Sequence, residues 1–183
     1  MKKCRNCKKS KLINLFSLGN MSFTGKFPRS KKVNVKKTEL SLVMCSKCFL
    51  VQLNRNYNLR YLYNPDYGYR TGINKTMTKH MNDIKKILSR KSKLISGDYV
   101  LDIASNDATL LNRYNKNIVK VGIDPLVNKY IKYYKKIDYK ISDFFPSNKI
   151  FKKKIKNKFK IITALSVFYD AKDPNQFLKN VNK

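Results

Sequence analysis

The sequence predicts an α/β protein made of two unequal parts. All four cysteines lie within the first 48 residues, in two C-x-x-C pairs, which indicates a small separate module at the N-terminus. From Tyr99 onward, apolar runs alternate with amphipathic segments, which is typical of a mainly parallel sheet with helical crossovers. A chain of 183 residues is long enough for both parts. We therefore expect a cysteine-bearing module at 1–60, a connecting loop and helix at 61–97, and a strand–helix domain at 98–183.

Apolar runs between and after the cysteine pairs predict the strands of the N-terminal module. LINLFSLGNMSFTGKFP (12–28) lies between the pairs, TELSLVM (38–44) leads into the second pair, and FLVQL (49–53) follows it. Two tight turns with strands between and after them are typical of a zinc ribbon. The module is therefore predicted to be zinc-ribbon-like.

The two cysteine pairs, Cys4 with Cys7 and Cys45 with Cys48, have the spacing of zinc ligands. Each C-x-x-C turn directs two thiolates at one point, and two such turns complete a tetrahedral shell. Disulfides would suit a small secreted protein, but the basic N-terminus is not followed by the apolar stretch of a signal peptide. Four thiolates leave no open position, so the predicted zinc ion is structural. The alternative is two unrelated pairs of redox-active or free cysteines.

The formal net charge of +30 is the most unusual property of the composition. Such a charge suggests a polyanion partner such as nucleic acid. The charge is spread along the chain, however, and abundant Lys, Asn and Ile also fit AT-rich coding, so a solvated surface explains it equally well. Nucleic acid stays an alternative partner, and anionic small substrates would be attracted too. With no apolar run long enough to span a membrane, we expect a cytoplasmic protein with no membrane partner.

The second part of the chain is predicted to begin with a helix and continue as alternating strands and helices. Apolar residues recur at helical spacing from Asn74 to about Arg90. Strands are predicted at 99–104, 119–124, 139–145 and within 159–169, with helices at 106–114, 127–136 and 175–181.

Acidic residues follow three of these predicted strands. Asp102 ends the first, and Asp124, 22 residues later, ends the second, where a carboxylate can accept both hydroxyls of a ribose. Asp143 and Phe144 end the third, where an acid can accept from an adenine amino group and a ring can stack. Because doubly wound sheets bind ligands at these strand ends, we interpret the set as a nucleoside-cofactor site. Each Asp alone could be only a helix cap. The absence of GxGxxG counts against NAD or FAD.

Together these motifs resemble those of the sugar C-methyltransferase family. That family has an N-terminal zinc-binding domain followed by a Rossmann-like class I methyltransferase domain. The resemblance runs from Cys4 to about Val181. It rests on the paired C-x-x-C, CFLVQL (48–53), YGYRTGINKTMTKH (67–80), VLDIASNDATLL (100–111), VGIDP (121–125) and ITALSVFYDAKDPNQFL (162–178).

The resemblance implies a reaction and a set of cofactor-binding residues. Such enzymes move a methyl group from S-adenosylmethionine to a carbon of a nucleotide-linked keto-deoxysugar. The residues implied to bind the cofactor are Asp102, Ser105 and Asn106 at its methionine end, Asp124 at its ribose, and Asp143 and Phe144 at its adenine.

Carbon methylation also needs a base that removes a proton next to the sugar ketone. His80 is the single histidine, and the family has a histidine at this point of its motif, so His80 is a candidate for a substrate role. It could equally pack on a helix face. Tyr67 and Tyr69 could contact the sugar and Arg70 a diphosphate, or all three could be structural.

The chain departs from the family at two points. Ala108 stands where the family usually has Gly, so this loop would approach the cofactor less closely. The chain also stops just after the fourth predicted strand, before the rest of a class I fold. We therefore expect the front half of a methyltransferase, with a second chain as a possible source of the other half. The alternatives are a nucleic-acid methyltransferase and a non-catalytic zinc- or nucleic-acid-binding remnant.

Overall fold

The computed structural model describes residues 3–23, 28, 30–152, 155 and 158–183, which form two compact units. Unit 1 combines Met1–Gly68 with Tyr169–Lys183, and unit 2 is Tyr69–Phe168. The chain therefore leaves unit 1, forms unit 2 and returns. The prediction instead treated 61–97 as a connector and 98–183 as one domain, and this domain assignment stays a prediction.

Unit 1 contains a three-stranded antiparallel sheet in the order β1-β2-β3. The three strands that the apolar runs predict are confirmed, and a single-turn helix, α1, follows them. Their bounds are β1 (Leu12–Ser22), β2 (Lys37–Cys45), β3 (Val51–Leu53) and α1 (Leu59–Leu62).

The two faces of this sheet differ in burial. Along β2, Ser41, Val43 and Cys45 are buried, and Gln52 of β3, opposite Val43, is buried as well. The alternate residues of β2 are only half-buried. Because side chains alternate across a strand, one face carries Cys45 into the interior of unit 1 while the other stays partly open.

Unit 2 is built on a four-stranded sheet in the order β6-β5-β4-β7, and each neighbouring pair is parallel. A long helix precedes the sheet and a short one lies before its last strand. The elements are α2 (Lys75–Lys91), β4 (Tyr99–Ile103), β5 (Val119–Ile123), β6 (Tyr139–Ile141), α3 (Lys149–Lys152) and β7 (Phe159–Thr163). The α/β class, the parallel sheet, all four strands and the long helix are therefore as predicted.

The core of unit 2 lies around β4 and β5. Four of the five residues in each of these strands are buried, as expected of parallel strands covered on both faces. Leu111, Val127 and Tyr134 from the connecting segments are almost completely buried and supply the cover. This packing fixes the positions from which the strand-end loops start.

The helices predicted at 106–114 and 127–136 are wrong. Each segment forms turns and a 3-10 helix of only three residues, Leu111–Arg113 and Ile131–Tyr133. In the first, Ala104, Asn106 and Ala108 have positive φ, which interrupts a right-handed helix. The second is rich in Tyr and β-branched residues, which have low helix propensity.

Helix α2 has the features expected from its sequence. The side chain of Asn74 accepts the backbone N–H of Met77 at 3.2 Å and so caps the first turn. Met81 is its buried residue, and basic residues occupy its last turn. In the part of the chain that the structure describes, neither α2 nor any other helix has the length and apolar character needed to cross a membrane.

The segment 169–183, here called the return segment, ends in the predicted helix α4 (Pro174–Val181). Asp173 caps this helix by accepting the N–H of Gln176 at 3.0 Å. It also forms an ion pair with Lys8 at 2.7 Å, while the side-chain amide of Asn175 donates to the backbone oxygen of Asn6 at 2.9 Å. The return segment thus contacts the turn that carries the first two cysteines.

Candidate metal centre and strand-end site

The two C-x-x-C turns have the same backbone construction. The N–H of Lys8 donates to the carbonyl of Cys4 at 3.1 Å, and the N–H of Phe49 donates to the carbonyl of Cys45 at 2.9 Å. Both donor residues, each four positions after the first cysteine of its pair, have positive φ (61° and 58°). Each turn therefore closes on itself and holds its two thiols on the same side.

The four sulfur atoms form a compact cluster. All four cysteines are free, and their Sγ atoms lie within 4.8 Å of one another. The Sγ atoms of Cys4 and Cys48 are 3.6 Å apart, and those of Cys7 and Cys45 are 3.5 Å apart. Tetrahedral zinc with Zn–S bonds of about 2.3 Å requires sulfur separations of about 3.8 Å. The cluster therefore fits a tetrahedral metal ion.

Backbone N–H groups favour the thiolate form at the second turn. The N–H of Leu50 lowers the pKa of Cys48 to about 6, and the N–H groups of Cys48 and Lys47 lower the pKa of Cys45. At Cys7 the N–H of Lys9 also lowers the pKa, but burial and the neighbouring sulfurs outweigh it and raise the pKa to about 11. A divalent cation removes this conflict because it stabilises all four thiolates at once.

This donor set defines what the centre can do. Four thiolate ligands are typical of structural zinc and leave no coordination position for substrate or water. Cys4 and Cys45 are completely buried, so the cluster also forms the centre of the small core of unit 1. The arrangement supports the predicted zinc ion and a structural role for it.

The second candidate site is the loop that follows β4 in unit 2. Ala104, Asn106 and Ala108 alternate with residues of ordinary backbone geometry and have φ values of 59°, 49° and 59°. Residues with a Cβ adopt this left-handed conformation at a cost of about 1 kcal/mol each. The loop is therefore a strained, tightly folded turn.

Asp124, at the end of β5, holds this loop. Its Oδ2 accepts the backbone N–H of Asn106 at 2.9 Å, and its Oδ1 accepts the N–H of Leu126 at 2.7 Å. Burial raises the pKa of Asp124 to about 6, while the two N–H donors act in the opposite direction. Asp124 and Asn106, two residues predicted for the cofactor, are thus in direct contact.

Asp102 lies buried in β4 and is joined to the neighbouring strand β7. The hydroxyl of Thr163 donates to its Oδ1 at 2.6 Å. Burial raises the pKa of Asp102 to about 7; the Thr163 hydroxyl opposes this shift and the charge of Asp124 adds to it. Near neutral pH, Asp102 is therefore partly protonated.

Ser105 and Asn106 share a partner in Tyr134, which lies completely buried below the loop. The Tyr134 hydroxyl lies 2.8 Å from Oγ of Ser105 and donates to the backbone oxygen of Asn106 at 2.7 Å. A Cβ at Gly122 would lie only 2.9 Å from the Ser105 hydroxyl, so this packing requires a glycine in β5.

Asp143 and Phe144 follow β6, as predicted. Oδ1 of Asp143 accepts the backbone N–H of Phe144, and its Oδ2 accepts the hydroxyl of Ser147, both at 2.8 Å. The Ser147 hydroxyl, a backbone N–H and Lys149 lower the pKa of Asp143. Asp143 is therefore ionised and organises its own loop, whereas Asp124 organises the loop after β4 and Asp102 joins β4 to β7.

Sequence reasoning named Tyr69 and Arg70 as candidates for substrate contacts but missed that residues 69–72 hold the loop from its other side. Arg70 forms an ion pair with Asp107 at 2.9 Å, the N–H of Gly72 donates to the same carboxylate at 3.0 Å, and the N–H of Thr71 donates to the side chain of Asn106 at 3.0 Å. A Cβ at Gly72 would lie 2.7 Å from that carboxylate, which explains the glycine.

The two candidate catalytic residues lie in different units. His80 is exposed on α2 of unit 2. Tyr67 is half-buried in unit 1, where its ring packs edge-on against the ring of Tyr63, with 5.1 Å between the ring centres. Arg70, considered for a diphosphate, instead pairs with Asp107, and its guanidinium lies 4.3 Å from the ring centre of Tyr133. Their catalytic and substrate roles stay predictions.

Comparison with known families identifies the N-terminal part of the chain. Residues 4–63 match a methyltransferase-associated family described as "Putative zinc binding domain". The matched range contains all four cysteines and β1–β3. No curated protein matches the chain. Unit 1 therefore contains a zinc-binding module of the kind found with methyltransferases.

Proposed function

We propose that this chain is an S-adenosylmethionine-dependent methyltransferase with a Rossmann-like class I domain and a structural zinc module. Its proposed acceptor is a carbon of a nucleotide-linked keto-deoxysugar. The observation that carries the proposal is the row of acids at the carboxyl ends of β4, β5 and β6, in a chain whose N-terminal module is of a methyltransferase-associated type.

The order of the strands supports a ligand site at these ends. From β4 the sheet continues to β5 and β6 in one direction, and then the chain crosses back so that β7 lies on the other side of β4. Ligands of open parallel sheets bind where the strand order reverses in this way. Asp102 and Thr163, joined across β4 and β7, mark that point.

The acids also suit the parts of the proposed cofactor. S-adenosylmethionine has a ribose diol and an amino group that donate hydrogen bonds, and a sulfonium that favours nearby negative charge. Each carboxylate oxygen has two acceptor positions, so the Asp124 oxygens that hold backbone N–H groups can each accept once more. When bound, the cofactor supplies the electrophilic methyl group, and the chain's residues orient it and the acceptor.

The acceptor is assigned from the family resemblance and the charge of the chain. A net charge of +30 attracts the diphosphate of a nucleotide sugar. His80 is proposed for a substrate role and Tyr67 for a contact with the sugar. The same charge favours the second candidate, a nucleic-acid methyltransferase.

Cofactor binding is tested with a matched pair of variants. Asp124→Asn should weaken S-adenosylmethionine binding by about tenfold or more, because a charged acceptor for two hydroxyls is lost. Asp138→Asn is the control, since Asp138 also accepts a backbone N–H, that of Lys120, but lies just before β6 rather than after a strand. Isothermal titration calorimetry measures the dissociation constant of S-adenosylmethionine for each variant. An absence of binding by the wild-type chain, or equal effects of both variants, would contradict the proposal.

The acceptor is tested by transfer of a labelled methyl group. A keto-deoxysugar nucleotide and RNA are offered to the chain as competing acceptors. Label on a sugar carbon supports the proposal. Label on RNA alone would replace it with the nucleic-acid alternative.

A further inference from the structure

Strand β1 differs in chemistry from the rest of the chain. Charged residues make up 28% of the sequence, yet none occurs in the run LINLFSLGNMSFTG from residue 12 to residue 25, which contains all of β1. A coding bias that adds lysines across a surface would not spare one surface strand. The missing charge is therefore a property of this strand.

The apolar residues of β1 are exposed. Ten of its eleven residues are exposed, and the remaining one, Leu12, is half-buried. The large apolar side chains and their exposed fractions are Ile13 (43%), Leu15 (45%), Phe16 (49%), Leu18 (58%) and Met21 (46%). Isolated exposed apolar residues are common, but a continuous strand of them indicates an interaction surface.

The outer edge of β1 is also open. β1 pairs with β2 on one side, and in the described part of the chain no strand lies along its other side. Edge strands usually carry lysine, proline or inward charges that prevent pairing with another chain. β1 has none of these between Leu12 and Ser22, although its register against β2 shifts between Asn14 and Phe16 and between Ser17 and Asn20.

On one face of the sheet, the exposed apolar residues of β1 are continued by apolar residues of β2 and β3. Ile13 and Phe16 lie opposite Met44 and Leu42 of β2, and opposite residues point to the same face. Met44 in turn lies opposite Val51 of β3, which is 49% exposed. The edge and this face together form one apolar surface, called here the β1 surface.

We propose that the β1 surface is a dimer interface, in which β1 pairs antiparallel with β1 of a second copy of this chain. An edge strand pairing with its own copy about a two-fold axis forms a closed dimer. At about 3.4 Å per residue, eleven residues give a seam about 37 Å long. The eight residues of β1 that keep register with β2 could supply up to about eight hydrogen bonds, which is within the range of a typical stable interface.

Charge favours a second copy over other partners. A polyanion would be held by cations, and β1 presents none. Lys11, the cation next to β1, would face the far end of the partner strand near Ser22 in an antiparallel pair, so the two copies of Lys11 stay apart. Among the described strands, the one that matches the length, apolar character and neutrality of β1 is β1 itself.

The net charge then predicts an unusual salt dependence. Two chains of +30 repel each other, and added salt screens this repulsion while leaving the uncharged seam intact. Dimerisation should therefore become stronger as salt rises. Binding to a polyanion should become weaker, because released counterions drive it.

Sedimentation of the full zinc-loaded chain tests the proposal. Between about 0.1 M and 0.5 M salt, the dimer should tighten several-fold. Phe16→Lys should weaken the dimer by about tenfold or more, because it places an unpaired charge in the seam. Ile87→Lys on α2 is the control, since Ile87 has a similar exposed fraction (48%) and should leave the dimer unchanged.

A second measurement keeps the test valid if Phe16→Lys fails to retain zinc. In the wild-type chain, hydrogen exchange at the backbone of β1 should slow as protein concentration rises, while exchange in α2 stays constant. A monomer at every salt and protein concentration would overturn the proposal. So would a complex that weakens with salt or disappears on nuclease treatment, or equal effects of Phe16→Lys and Ile87→Lys.

Discussion

Ala108 shows how one side chain can strain the strand-end loop. It is completely buried and has a φ of 59°, a conformation that glycine adopts without strain. The family resemblance places a glycine at this position, and the structure gives a physical reason for that glycine.

Ala108→Gly should therefore stabilise unit 2 by about 1 kcal/mol, because relief of the left-handed strain outweighs the extra flexibility of glycine in the unfolded chain. Ala164→Gly is the control: Ala164 lies in the same unit without positive φ, and its replacement should be neutral or destabilising. Urea unfolding measures the free energy of unfolding of each variant. Equal destabilisation by the two changes would show that residue 108 is not strained.

Asp102 should make the stability of unit 2 fall as pH rises. Its pKa is raised from 3.8 when unfolded to about 7 when folded, so the folded state holds a proton that the unfolded state loses. Its contribution is fully present below about pH 4 and is lost as pH rises through 7. At about 1.4 kcal/mol per pKa unit, the loss amounts to a few kcal/mol.

Asp102→Asn should remove this contribution, because an amide stays neutral and still accepts the Thr163 hydroxyl. The difference in unfolding free energy between variant and wild type should grow in favour of the variant from pH 4 to pH 7. Urea unfolding at several pH values measures that difference. A constant difference would contradict the raised pKa.

Candidate site residues could be predicted where the signal lies in the neighbouring sequence. The four cysteines follow from spacing alone, and the acids follow from their positions after apolar runs. Their partners did not follow: Asp124 binds the N–H of Asn106, 18 residues earlier, because a strained loop turns that N–H toward it. Backbone donors have no signal in the sequence, so the contacts between predicted residues had to come from the structure.

At the scale of elements, the strands were predicted well and the crossover helices were not. β4 and β5 are short apolar runs interrupted only by Asp102 and Lys120, a pattern typical of buried parallel strands. The segments after these strands also contain periodic apolar residues. After β4, positive φ at Ala104, Asn106 and Ala108 prevents a continuous helix. After β5, several tyrosines lower the helix propensity. The spacing of apolar residues indicates which side chains are buried, but it does not by itself show that the segment is helical.

The cysteine turns should depend on metal for their structure. Cys45→Ser opens the shell, so the variant should lose zinc and unfold β1–β3, because a segment this small relies on the metal for folding energy. Ser46→Ala changes the next residue, whose hydroxyl donates to the backbone oxygen of Lys11 at 3.2 Å rather than to a cysteine, and should keep about one zinc per chain. Metal analysis and circular dichroism measure both. A zinc-free Cys45→Ser chain with an unchanged fold would contradict the structural role.

At the scale of the whole molecule, the return segment should be sensitive to metal. Lys8 and Asn6, which bind Asp173 and Asn175, are held in place by the first cysteine turn. The Lys8–Asp173 pair is half-exposed and weak alone, so docking depends on the shape of that turn. Chelation should therefore increase hydrogen exchange across 169–183 while α2 in unit 2 stays unchanged. Equal exchange in α4 with and without metal would refute the coupling.

The division of unit 1 between two ends of the chain has a consequence for biosynthesis. A ribosome makes the cysteine turns first, but α4 emerges only after the whole of unit 2. At about 5–20 residues per second, the delay is on the order of ten seconds. Unit 1 is thus begun before unit 2 and completed after it, and during that interval the cysteine turns lack their contacts with the return segment.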